Sequence, residues 1–378
     1  MMKKQLLLIL IWLLTLAEIA TAAAATTRTT EKTTTKLPTT KTTTRAATTT
    51  TMTTTTTTMT TTTTTTTAST TTTATTTVQQ ICSSATWNSN GTTLPIANVT
   101  APEDVGVDSR QNLIVYSGGH LLKYFNNGTT VSLLSGLTGG YLFIDQHDNI
   151  YFSDGENNRV LLLSFNGSVT TVAGNGTFNG SGPPQFAFPE GIYVDKNGSV
   201  YVADSNNNRV VKWLAGTTQV TVVAGGNGYG NQSNQLSYAM GIFVDEINDG
   251  AVYVCDTYAN RIQKWLPNAT AGTTVAGGNG NGSALNQLYM PTAIIFDPNT
   301  KIMFISDYGN NRVLKWLVGA SSGTVLAGGN GTGNGTNQLN TPNQCAFDSK
   351  GNFYVADYGN NRIQKFAFNT SSCPAQHG

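Results

Sequence analysis

Apolar residues fall along the chain in three regimes. From Leu6 to Ala17 they form one continuous run, behind Lys3 and Lys4 and ahead of the small-residue pattern Ala20-Thr21-Ala22. That layout predicts a secretory signal peptide over 1–22, shorter in its apolar run than the roughly 20 residues of a spanning helix, with an uncleaved N-terminal membrane anchor as the alternative. Residues 26–77 then hold 37 Thr in 52 positions. Such a tract cannot bury enough apolar surface to offset chain entropy, so 23–77 reads as a disordered, mucin-like, O-glycosylated stalk. From 78 to 378 the pattern changes to short apolar runs separated by Asp, Asn and Gly, and these runs predict strands.

The runs repeat. One unit reads Phe188-Pro189-Glu190-Gly191-Ile192-Tyr193-Val194-Asp195, then Val200-Tyr201-Val202-Ala203-Asp204, then Asn207-Asn208-Arg209-Val210-Val211-Lys212-Trp213, then Val220-Thr221-Val222-Val223-Ala224-Gly225. The second-run aspartates Asp154, Asp204, Asp256, Asp307 and Asp357 recur at intervals of 50, 52, 51 and 50. Each is followed five residues later by an arginine: Arg159, Arg209, Arg261, Arg312 and Arg362. Four β-rich runs in a period near 50 are the signature of a propeller blade. The first-run aspartates Asp108, Asp145, Asp195, Asp245, Asp297 and Asp348 add a sixth, degenerate unit, with Ser117-Gly118-Gly119-His120 in place of the Asp…Arg turn. The expected fold is all-β, a six-bladed β-propeller over 78–378.

The last unit ends with three runs, so its outer strand is expected from the N-terminal side, where Thr92–Asn98 resembles the outer runs. Cys82 and Cys373 flank the two ends of that junction, and an oxidising compartment would join them in a disulfide. Cys255 and Cys345 replace small or apolar core residues and read as buried free thiols.

The Asp-x-x-x-Asn-Arg-Val-x-Lys-Trp and Val-Tyr-Val-Ala-Asp lines resemble those of the NHL-repeat β-propellers, over roughly 95–370. The resemblance implies the six-bladed fold. It leaves activity open, because that family includes extracellular sensors, protein- and RNA-binding propellers and the lyase domain of peptide-amidating enzymes.

Charge and chemistry narrow the choice. Residues 78–378 carry 14 Lys and Arg against 18 Asp and Glu, an acidic balance that argues against nucleic acid as a partner. Sequons at Asn98, Asn127, Asn166, Asn197, Asn231, Asn268 and Asn281 fit a secreted glycoprotein. The amidating lyases resemble a three-histidine zinc site, and this chain has only His120, His147 and His377. No catalytic residue and no metal ligand are therefore assigned, and no cofactor is expected, although Asp and carbonyl oxygens in an inner channel would suit calcium. The Asp…Arg pairs, repeated in every regular unit, read as turn architecture. Tyr258, Tyr308, Tyr358, Tyr229 and Tyr289 gather on one face and are the candidate ligand contacts. The resulting expectation is a secreted, monomeric, non-catalytic recognition module for an extracellular protein, peptide or glycan. A metal-dependent lyase or hydrolase of the amidating type is the alternative.

Overall fold

The computed structural model describes residues 81–373, apart from 175, 177–179 and 183–184. The signal peptide over 1–22 and the stalk over 23–77 lie outside these residues, as does His377. The described residues form six four-stranded antiparallel sheets. Blade III runs Pro189–Val194, Val200–Asp204, Arg209–Trp213 and Val220–Gly225, from inner strand to outer, and the others follow the same up-and-down order. The inner strands of the six blades contact one another in sequence, and the sixth, Pro342–Phe347, touches the first, Pro102–Val107. The molecule is a six-bladed propeller with the inner strands around its axis.

The second strands are buried along their whole length, as the apolar line Val200-Tyr201-Val202-Ala203 requires of a strand covered on both faces. The tryptophans fill the gaps between blades. Trp213 packs with Tyr151 and Phe186 of the preceding blade, and Trp265 packs among Tyr201, Val210 and Leu236. Trp316 lies with Tyr253 and Ile262 of blade IV. Space at the axis is tight: a Cβ on Gly191 would lie 2.3 Å from the Met240 carbonyl oxygen, so only glycine fits that strand.

Blade VI takes its outer strand from Thr92–Thr93, with Thr92 opposite Lys365 and Thr93 opposite Gln364. Trp87 bridges to Phe368 beyond it, and Cys82 and Cys373 are joined with Cα atoms 5.7 Å apart. Cys255 and Cys345 are free and buried. Among the described residues no helix is long and apolar enough to cross a membrane.

Candidate functional site

The meander places two kinds of connection on one face: the turns between second and third strands, and the loops from each outer strand to the next inner strand. The turns are built by their aspartates. In blade IV Asp256 accepts the Ser237 N–H at 2.6 Å with one carboxylate oxygen and the Arg261 Nε at 2.7 Å with the other. Arg261 then donates through its terminal nitrogens to the carbonyls of Asn231, Gln232 and Gln235 in the loop arriving from blade III. One guanidinium thus fixes a turn and a loop together, using the planar fork that lysine lacks. The same contacts recur at Asp204–Arg209, Asp307–Arg312 and Asp357–Arg362, each 2.7 Å, whereas the more exposed Arg159 turns both its Nε and a terminal nitrogen to Asp154, at 2.9 and 2.8 Å.

The asparagine before each arginine carries the order inward. Asn208, Asn260, Asn311 and Asn361 adopt positive φ, and their side-chain oxygens accept the N–H of Tyr238, Met290, Thr341 and Ala101 in the next blade. The four recipients also have positive φ, between 46° and 63°, a conformation costly for a residue with a Cβ. Phe188 is held in the same way by Asn158. Blade I has no Asn-Arg turn, and at the equivalent place Gly139 takes φ 59° while the Tyr116 hydroxyl accepts its N–H. The side chains at the mouth of the axis are therefore aimed by clamps from the neighbouring blade.

Inside the clamps lies a funnel. Five residues ahead of the inner-turn aspartates the six strands present Glu103, Gly140, Glu190, Met240, Thr292 and Asn343. Above them is a cavity of about 330 Å³ lined by Glu103, Met240, Thr292 and Asn343 and walled by Tyr238, Tyr258, Tyr308, Tyr358 and Met290. Tyr238 and Tyr258 stack with centroids 5.1 Å apart. Tyr141 closes the floor: it is fully buried, and its hydroxyl crosses from blade II to donate to the Asn343 side-chain oxygen at 2.9 Å.

The electrostatics of the funnel are unusual. Burial pushes the Glu190 carboxyl up to about 8, helped by the nearby Glu103, and its one side-chain partner is the Tyr238 hydroxyl at 3.4 Å. Burial also raises Glu103, against a hydrogen bond from the Gly140 N–H. Asp104, beside it, is raised by burial although the N–H groups of Val105 and Leu142 hold both its oxygens. The Thr292 hydroxyl is buried without a hydrogen-bond partner.

Of the tyrosines expected at the ligand face, the structure brings Tyr258, Tyr308 and Tyr358 together at the funnel. Tyr229 instead borders a larger depression of about 480 Å³ over blade IV, with Tyr258 and Arg261. That depression is walled mainly by loop residues, and its one cation is already engaged by Asp256 and three carbonyls, so the funnel is the stronger candidate. Tyr289 packs over Gly309, outside both. Glu103, Glu190 and Thr292 were not singled out from the sequence. Asn98, Asn127, Asn166, Asn197, Asn231, Asn268 and Asn281 are all exposed or half-buried at the surface. His120 sits in the second turn of blade I, on the funnel's face, whereas His147 lies in the inner hairpin turn of blade II, on the opposite one. The described residues contain no group of three or more His, Cys, Asp or Glu placed to hold a metal ion.

A family model described as the NHL repeat matches residues 186–213 and 339–366, which span blade III and blade VI from before the inner strand to the end of the third. No curated protein matches the sequence to a significant degree. Solved structures do resemble it. A Bacteroides thetaiotaomicron protein of unknown function is 14% identical with a TM-score of 0.60, over 75% of this chain and 73% of its own. An auxiliary nutrient binding protein from the same organism is 16% identical with a TM-score of 0.56, over 71% and 69%. A gluconolactonase from Xanthomonas campestris is 12% identical with a TM-score of 0.55, over 77% and 99%. At such identities the likeness concerns the fold, which binding proteins and enzymes share. The chain carries NHL repeats and folds as a six-bladed β-propeller.

Proposed function

We propose that the protein is a secreted, non-catalytic recognition module whose axial funnel receives a peptide, a protein segment or a glycan. The observation that carries this reading is the convergence of Tyr238, Tyr258, Tyr308 and Tyr358 around one 330 Å³ cavity floored by polar side chains. Aromatic faces give area and stacking, while hydroxyl, amide and carboxyl groups give orientation. The Cys82–Cys373 disulfide supports an oxidising, extracellular setting. The Bacteroides nutrient binding protein shows that a chain of similar fold serves in binding. The test is a glycan and peptide array probed with the secreted protein and with its Tyr258→Ala/Tyr308→Ala/Tyr358→Ala variant. At least a tenfold loss of affinity for the captured ligand is expected, and unchanged affinity refutes the funnel as the site.

One observation favours a second reading. A carboxyl held near 8 beside a tyrosine hydroxyl has the proton affinity of a general acid–base, and a gluconolactonase shares the fold. Hydrolysis of sugar lactones that is abolished in Glu190→Gln would select this reading over the first.

A further inference from the structure

The buried carboxylates divide into two groups. Asp108, Asp154, Asp195, Asp204, Asp245, Asp256, Asp307 and Asp357 each have a Lys or Arg nitrogen within 4 Å. Asp104 and Glu190 do not, among the described residues, and neither does the half-buried Glu103. Asp104 is satisfied by two backbone N–H groups. Glu103 and Glu190 have one long contact each, 3.3 Å to the Gly140 N–H and 3.4 Å to the Tyr238 hydroxyl. A chain that supplies cations to its other buried acids has left Glu103 on the wall of an open cavity and Glu190 behind that wall, joined to it through the Tyr238 hydroxyl. A second observation lies in the same cavity: Thr292 is 3% exposed, and its hydroxyl oxygen has no partner.

Resting on the reading of the funnel as the ligand site, we propose that it takes a primary ammonium group carried on an unbranched alkyl chain. The ammonium has three N–H donors and no acceptor; Glu103 and the Thr292 hydroxyl on the cavity wall offer acceptors to it, and the Glu190 carboxyl adds its charge from behind Tyr238. Tyrosine faces attract a cation as well as methylenes, and Met240 and Met290 add flexible apolar wall. The same head group occurs on a small alkylamine and on a lysine side chain of a protein.

Titration calorimetry of the intact protein with n-hexylamine, against its neutral isostere n-hexanol, tests this. One amine per chain is expected, with hexanol at least tenfold weaker. Glu190→Gln should weaken the amine at least tenfold and leave hexanol unchanged; an unaltered melting temperature or a higher one at pH 8 shows that the variant is folded. Lowering the pH from 8 to 5 should also weaken the amine, because Glu190, held near 8, takes up a proton. The groups facing Glu103 and Glu190 (Asp104, Tyr116, Tyr141, Tyr238, Tyr258 and Tyr358) contribute no positive charge. A lysine peptide that binds more tightly than hexylamine, and loses binding on Nε-acetylation, identifies a protein as the source. Equal affinities identify a small amine. Equal binding of hexanol and hexylamine overturns the proposal, as does undiminished amine binding by Glu190→Gln. Calcium binding at the funnel more tightly than hexylamine also overturns it, by giving the carboxyls to a metal. If the amine fails while the array ligand is still lost in the triple tyrosine variant, the ammonium assignment falls and the funnel reading stands.

Discussion

Two rings of residues face the same side of the propeller and are built on opposite rules. In the outer ring five blades repeat one aspartate and one arginine at one spacing, with the same ion pair each time and, in four of them, the same reach to loop carbonyls. In the inner ring equivalent positions hold Glu103, Gly140, Glu190, Met240, Thr292 and Asn343, where no type but glutamate recurs. Repetition in the outer ring has a common cause, since every blade must tie its turn to the loop arriving from its neighbour. No such common tie constrains the inner ring, where Gly140 is fixed by the Ser153 carbonyl against it and Glu103, Met240, Thr292 and Asn343 meet a cavity in place of a blade. In this repeat protein the column that stays constant is the frame, and the column that diverges inside it is where the proposed ligand site lies.

The sharpest way to break this contrast is to damage one ring and watch the other. Arg312→Ala leaves Asp307 buried without its cation and three loop carbonyls without donors, which should cost about 3–5 kcal/mol in denaturant unfolding. A loss below about 1 kcal/mol would remove the architectural role of the outer ring. Replacing Cys82 and Cys373 by Ser frees a 291-residue separation, and a loss of about 2–5 kcal/mol is expected in thermal melts. Asn311→Ala removes the acceptor for the Thr341 N–H and a residue suited to positive φ, and about 1–2 kcal/mol should follow.

Inner-ring changes should behave differently. Glu190 keeps its proton up to about 8 in the folded protein but releases it near its ordinary value of 4.5 when unfolded. Between those values the folded state binds more protons, so stability falls as pH rises, at up to about 1.4 kcal/mol per pH unit. Glu190→Gln should remove that slope, and parallel melts of the two proteins from pH 5 to 8 would reveal it. The smallest stability effect is expected for Tyr358→Phe, within about 0.5 kcal/mol, because only a hydroxyl at the cavity wall is lost.

The outer ring was legible in the sequence because its chemistry is local. Asp204 and Arg209 are five residues apart, pair across one hairpin, and recur. The strand count and the candidate disulfide followed from the same periodicity. The funnel was half legible. Tyr258, Tyr308 and Tyr358 stand beside the repeated aspartates, and so the repeat carries them to one face. Glu190 and Thr292 stand at the same position in different blades, following Pro189 and Pro291, and nothing near them in the chain distinguishes them. Their meaning depends on burial about an axis that only the closed ring creates. Tyr141 is the clearest case: its hydroxyl meets Asn343 across 202 residues of chain, a contact that no local pattern encodes.

The chain has six glutamates, one of them (Glu18) in the expected signal peptide, so a spectrum of the secreted protein labelled with ¹³C at the glutamate carboxyl carbon holds five signals. Following the Glu190 signal, assigned by its loss in Glu190→Gln, through a pH titration measures directly whether the funnel holds a desolvated carboxyl without a cation. A midpoint near 8 is expected. A midpoint near the ordinary 4.5 would mean that water or a cation already serves Glu190, and the inner ring would be no more a ligand site than the outer one.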